Sequence, residues 1–249
     1  MKLLWEIEES DIQKVKSFYE RNKDNPFVHE RIKRNINKQN VKISKDIFFK
    51  VMVSCLLTTK QRSGPNSAVT KFINAKPFPL QYDDCIKQNN LKKYILTILN
   101  SHAGLRRKNK IAEEIETNLR LLENGLWEKI FEIIENLLSN NSVVNERKAA
   151  QYISDNLKGF GPKQSRNLLQ SLGVTIYEIP IDSRITKWLN EFGFPIKLSA
   201  TALADHNYYN FVSDGFQKIC KACDIKLCVM DAVIFSSFDK NWTKENVIW

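Results

Sequence analysis

Apolar residues recur at three- and four-residue steps along most of this chain, the period of helices that bury one face. The stretch 108–122 puts Ile111, Ile115, Leu119 and Leu122 on one stripe, and 127–138 repeats the pattern with Ile130, Ile133, Ile134 and Leu137. Helices are also expected over 146–157, 163–172 and 182–192, stopped by Gly159, Gly173 and Gly193, with Asp182 available as an N-cap. Ile47-Phe48-Phe49, Val51-Met52-Val53 and Leu56-Leu57 are apolar nearly all round, which predicts a buried central helix. A last apolar helix is expected over 228–238. Strand alternation is weak, and 174–181 reads as a connector between helices. The fold expected is therefore all-α.

The chain has 249 residues, 43% of them hydrophobic and 27% charged, with only eight glycines and seven prolines. That predicts a globular protein with a proper core. No apolar run approaches the ~20 residues of a membrane span, and the start turns acidic at Glu6, too early for a secretion signal. No membrane partner is expected, and a cytoplasmic, nucleoid-associated or nuclear protein is the default. Lys and Arg total 38 against 28 Asp and Glu, a net charge of +10. Such an excess suits a polyanion, whose condensed counterions are released on binding, and equally suits plain solubility. The five cysteines are an odd number, unlike a secreted disulfide framework.

The chemistry concentrates in two segments. Lys158-Gly159-Phe160-Gly161-Pro162-Lys163 is a glycine hairpin opening a helix, and Ile179-Pro180-Ile181-Asp182 follows with Asp182 nineteen residues after Lys163. Glycines let a chain bend and approach another backbone closely, and amides at a helix start attract phosphate. By residue types alone the hairpin is either a phosphate clamp, with Lys158 and Gln164 as flanking donors, or an ordinary turn. Lys163 sits at the positive end of its helix dipole, where a cation is disfavoured. It is read as an amine of lowered basicity, and so nucleophilic, or as a phosphate contact. Asp182 is read as a cap, a role that also aims it into a cleft. Arg184 offers a planar fork for phosphate.

Together these segments resemble the signature of the helix-hairpin-helix DNA glycosylases, the superfamily of endonuclease III, the adenine glycosylases and the 8-oxoguanine glycosylases. The resemblance spans about 45–193. Ser54-Cys55-Leu56-Leu57-Thr58-Thr59 is similar to the family's early buried helix, and Gly104-Leu105-Arg106-Arg107-Lys108 to its glycine turn into a later one. The resemblance implies two lobes with a cleft between them. An N-terminal segment (1–45) would join the C-terminal lobe. A helical barrel (46–178) would carry the hairpin (about 146–173), and 179–249 would hold the aspartate and the rest of the second lobe. It implies Lys163 as nucleophile and Asp182 as catalytic carboxylate, hence a bifunctional glycosylase/AP lyase acting on damaged double-stranded DNA as a monomer. It further implies Lys158, Gly159, Gly161, Gln164 and Arg184 as DNA contacts, with Lys60 and Gln61 in the loop that enters the duplex.

Two departures refine the expectation. Iron–sulfur members hold their cluster with four cysteines, whereas Cys220-x2-Cys223-x4-Cys228 has no nearby fourth. A zinc site would need His206 or a remote cysteine, and small buried residues before the last helix are the simpler reading, so no metal or cofactor is expected. The missing cluster points toward the 8-oxoguanine branch, and an oxidised base, 8-oxoguanine first, is the expected substrate. Glycosylases for oxidised pyrimidines or alkylated bases, and a non-catalytic DNA binder, are the alternatives. Second, Arg184 stands where the family commonly has histidine. For the base pocket, which needs an aromatic platform and polar groups, the candidates are Phe235, Phe238, Asp231 and His102. Trp242 and Trp249 lie beyond them.

Overall fold

The computed structural model describes residues 4–39, 41–239 and 241–247, so Trp249 lies outside the described residues. The described residues form thirteen α-helices, with short π and 3-10 turns and no strand. In chain order the helices are α1 Glu9–Asn22, α2 Pro26–Arg31, α3 Lys45–Leu57, α4 Ala68–Ile73, α5 Tyr82–Cys85, α6 Leu91–Ser101 and α7 Lys108–Leu121. Then come α8 Trp127–Ser139, α9 Val143–Asn156, α10 Pro162–Ser171, α11 Ser183–Phe192, α12 His206–Ala222 and α13 Leu227–Ser237.

Two helices are apolar over most of their surface, and each sits at the centre of one core. Around α3, every residue from Val51 to Leu57 is buried, and helices α4, α5, α7 and α10 pack against it. This core draws on residues from Phe48 to Val174. Around α13, helices α1, α2, α11 and α12 gather into a second core, built from Val15, Phe27 and Val28 and from residues between Ile179 and Val247. A helix without a polar face gains most from burial on all sides, so these two segments organise the molecule.

Between the cores runs the non-helical segment 174–181, a strap that bends at Ile176 and Tyr177. Strands are absent here because side chains, not a neighbouring strand, satisfy its buried backbone. The Glu146 carboxylate accepts the N–H groups of Ile176, Tyr177 and Glu178 at 2.6, 2.8 and 2.6 Å. Asn35 donates to Thr175 O at 2.9 Å, and Asn141 to Val174 O at 2.8 Å. The strap is therefore held in place by side chains from other elements and needs no alternating sequence.

Helices α1, α2, α4, α5, α6 and α12 are additions to the sequence reading. α12 hid because its buried stripe includes Ser213 and Gly215 beside Tyr209, Val212 and Phe216. Gly215 is small because the Trp5 ring lies on it: a Cβ there would sit 2.6 Å from the ring.

Candidate active site

The hairpin joins α9 to α10. Gly159 has φ +88°, a left-handed conformation that a side chain strains. A Cβ there would also lie 2.8 Å from Leu56 and 2.9 Å from the Glu114 carboxyl carbon. Gly161 differs: its φ is −81° and a Cβ would meet nothing within 4 Å. It is the N-cap of α10 and supplies no side-chain cap, so the first turn opens onto free space. Pro162 at the first helical position fixes the entry angle and Lys163 follows.

Asp182 is the N-cap of α11. Its Oδ1 accepts the N–H of Arg184 at 2.8 Å and of Ile185 at 3.0 Å, leaving Oδ2 to receive the Arg184 guanidinium at 3.2 Å. Lys163 and Asp182 both line a single cavity of about 900 Å³. They are not bonded to each other: the Lys163 amine donates to Gln164 Oε1 at 3.2 Å. Burial holds the Lys163 amine below the ordinary lysine value. The Asp182 and Cys55 side chains pull it back up, and Arg184 pushes it further down.

The cavity wall opposite the hairpin is aromatic. Phe235 stacks on Phe27 with ring centres 4.8 Å apart, and Trp242 completes the cluster at 5.0 Å from Phe27. The Arg184 guanidinium covers Phe235 at 4.2 Å. Deeper in the wall, Asp231 is 4% exposed and accepts from Gln170 at 2.7 Å, with Arg31 at 3.6 Å. Burial pushes the Asp231 carboxyl up to about 6 against the pull of Arg31, and Asp182 raises it too. The amide oxygen of Gln170 is buried with no hydrogen-bond partner.

The cavity thus brings together Lys163, Asp182, Arg184, Gly161, Lys60, Gln61, Asp231 and Phe235. Lys60, exposed and with φ +55°, and Gln61 lie in the loop after α3. Gln61 Oε1 accepts Arg106 N at 2.9 Å, tying that loop to the one before α7. Lys158 stands on the exposed side of the hairpin, its amine bonded to Glu113 at 2.7 Å, outside the cavity lining.

Three expectations need correction. Gln164 is not an outward phosphate donor: it is 6% exposed, and its amide donates to Cys55 O and Thr59 Oγ1, locking α10 onto the end of α3. His102 is not in the pocket: its ring packs edge-on to Phe72 at 4.7 Å and Nδ1 bonds Ile98 O at 2.9 Å. Phe238 is 42% exposed, outside the lining and beneath the Lys187 amine, because it falls just past the end of α13. Phe27, Arg31, Arg62, Arg106 and Gln170 line the cavity and were missed by sequence reasoning. Cys220, Cys223 and Cys228 are buried thiols whose basicity burial raises. His206 bonds Ser154 at 3.1 Å instead of approaching them.

No family model matches the chain. It is 28% identical over 198 residues to the 8-oxoguanine DNA glycosylase/AP lyase of Sulfurisphaera tokodaii, covering 80% of this chain and 85% of that protein. Among solved structures, the 8-oxoguanine DNA glycosylase of Methanocaldococcus jannaschii superposes with TM-score 0.69 at 21% identity, over 92% of this chain and 95% of that one. The 8-oxoguanine glycosylase/lyase of the same organism, in complex with a 15mer DNA containing 8-oxoguanine, gives 0.68 at 20% identity, covering 93% and 99%. The Thermotoga maritima 8-oxoguanine DNA glycosylase gives 0.66 at 15% identity, covering 94% and 98%. The fold is the all-α helix-hairpin-helix fold of these proteins, and over most of its length the chain is similar in sequence to an 8-oxoguanine DNA glycosylase/AP lyase.

Proposed function

We propose that this chain is a bifunctional DNA glycosylase/AP lyase that excises 8-oxoguanine from duplex DNA. The observation that carries the reading is the placement of an amine of lowered basicity and a carboxylate that is not bonded to it in the lining of one cavity. Lowered basicity leaves a larger share of the amine unprotonated and so nucleophilic.

A flipped nucleotide enters between Lys163 and Asp182. The Lys163 nitrogen lone pair forms a bond to C1′ of the sugar, and the C1′–N bond to the base breaks with its electron pair leaving on the base. The Asp182 carboxylate stabilises the positive charge that gathers on the sugar as the base departs. The C1′–O4′ bond then breaks, O4′ takes up a proton given off by Nζ, and a Schiff base forms between Nζ and C1′. Water takes a proton from C2′, the C–H electron pair forms the C2′=C3′ bond, and the 3′ phosphate leaves with the electrons of the broken C3′–O bond, cutting the strand.

The cavity chemistry favours an oxidised purine. Guanine presents only acceptors, N7 and O6, at its outer edge. 8-Oxoguanine carries a hydrogen on N7, so the same edge gains a donor. The Asp231 carboxylate and the unpartnered Gln170 amide oxygen are acceptors suited to it, and Phe235 offers a ring face for stacking. Gly161, Arg184, Lys60 and Arg106 would meet the DNA backbone, with Gln61 near the vacated base position. The protein would act as a monomer, in the nucleoid-bearing cytoplasm or the nucleus.

The test is borohydride trapping on a duplex containing 8-oxoguanine, beside duplexes carrying an oxidised pyrimidine or an alkylated base. A covalent adduct with wild type and none with Lys163→Gln supports the reading. Strand cleavage without any trapped adduct refutes the lysine's role, and preference for another lesion refutes the substrate.

A further inference from the structure

We propose that Arg166 and Tyr209 are positioning residues that set the separation of the Lys163 amine from the Asp182 carboxylate. The inference rests on the glycosylase/lyase reading and concerns how its two reacting groups are held.

Arg166 lies one turn beyond Lys163 on α10 and is 1% exposed. Its guanidinium donates to Pro162 O at 3.0 Å, the carbonyl next to Lys163, and to Asn210 on α12 at 2.7 Å. It also pairs with the fully buried Glu178 of the strap. Its flat face rests 4.3 Å from the ring centre of Tyr209. The Tyr209 hydroxyl in turn donates to Ile179 O at 2.7 Å and accepts the Ile181 N–H at 2.5 Å. Those two groups flank Pro180, which has no N–H of its own, and Ile181 directly precedes Asp182. A short, wholly buried chain of contacts thus runs from the residue before Lys163 to the residue before Asp182.

Stability alone does not explain this arrangement. Buried ion pairs are expensive to desolvate, and apolar replacements often serve as well. Glu178 is moreover already supplied with donors from Arg147, Ser213 and Gln217. What an apolar pair would lack is direction. A planar guanidinium and a phenol with two bonds define distance and angle, and displacement of a reacting group by about 1 Å can cost 10²-fold in rate.

The experiment is single-turnover trapping of the full chain on an 8-oxoguanine duplex across pH, with duplex affinity and thermal midpoint measured alongside. Tyr209→Phe is expected to trap at least tenfold more slowly at saturating duplex with unchanged affinity. Its acid limb should shift to lower pH, because the Asp182 charge that raises the Lys163 amine has drifted. Arg166→Lys, which keeps the charge but gives up the fork, is expected to do the same and stands in should Tyr209→Phe not fold. Ser213→Ala removes a Glu178 donor without touching the strap ends and is expected to lower only the thermal midpoint. The proposal is overturned if Tyr209→Phe and Arg166→Lys keep wild-type rate and pH limb, or if Ser213→Ala slows trapping equally. A wild type that traps nothing refutes the glycosylase/lyase reading itself, an outcome distinct from wild-type trapping with insensitive variants.

Discussion

The guanidinium of Arg184 lies 4.2 Å over the ring of Phe235 while reaching Asp182 Oδ2 at 3.2 Å. One cation therefore touches both the aromatic wall and the carboxylate, and its charge helps hold the Lys163 amine down. Arg184→Met keeps an apolar stem against Phe235 and removes the charge. The Lys163 amine should then titrate higher, so the acid limb of the trapping rate moves to higher pH. Duplex affinity should fall about tenfold with the loss of one phosphate-type contact, or ~1.4 kcal/mol. A pH series of single-turnover trapping with wild type and variant checks both effects.

Asp182 has two duties that a single substitution separates. Asn caps helices as well as Asp does, so Asp182→Asn should keep the bonds to Arg184 N and Ile185 N and change stability by under about 1 kcal/mol. Without the charge, base release should slow by about 10²- to 10³-fold. Urea unfolding together with base-release kinetics tests the pair of expectations. A large loss of stability would mean that the carboxylate's charge, not its cap geometry, holds α11.

How far the sequence announced this site follows from what kind of signal each part leaves. The two central helices were legible because full burial writes an apolar run, as in residues 51–57 on α3. Lys163 and Asp182 were legible because each sits at a helix start, where residue type has positional meaning. Gln164 was misread since a polar residue beside a hairpin looks outward in sequence, yet the helical turn swings it onto Cys55 and Thr59. Phe27 and Arg31 were invisible: α2 has six residues, too few for a period, and reaches the cavity only through packing on α13. The strap was seen as a connector, but its path depends on Glu146 and Asn35, which no local pattern in 174–181 reveals.

Glu146 makes that dependence measurable. Its carboxylate is buried and takes three backbone N–H donors, while burial pushes it up to about 7. Glu146→Gln would turn an NH₂ group toward at least one of those donors. Buried unpaired donors cost about 1–3 kcal/mol each, so a loss of about 3 kcal/mol in urea unfolding is expected. The pH dependence has a definite sign. The folded state holds this proton more tightly than the unfolded chain, so its contribution favours folding at low pH and weakens as pH rises from about 4.5 toward 7. The glutamine variant should lack that component.

Asp231 provides a pH test of substrate choice. At about 6, its carboxyl is mostly ionised at pH 7.5 and mostly protonated at pH 5. Protonation converts an acceptor into a donor, and the hydrogen on N7 of 8-oxoguanine then loses its partner. Preference for 8-oxoguanine over an abasic site should fall by about tenfold, or ~1.4 kcal/mol, between pH 7.5 and pH 5. Asp231→Asn should flatten the profile. Comparing the two substrates at each pH cancels the titration of Lys163, which affects both.

The two hairpin glycines separate fold from function. Gly159 combines φ +88° with a Cβ position 2.8 Å from Leu56, so Gly159→Ala should unfold more easily by a few kcal/mol, through strain and overpacking. Gly161 has neither constraint, and nothing of the protein lies within 4 Å of its missing Cβ. Gly161→Ala should therefore leave the thermal midpoint unchanged, or raise it slightly by restricting the unfolded chain. If the free space before α10 receives a DNA phosphate, the added methyl sits where the phosphate must come, and duplex affinity should drop about tenfold with a shallower salt dependence. Affinity titrations at two salt concentrations decide it. An alanine variant that binds as wild type does would remove the hairpin's first turn from the DNA interface.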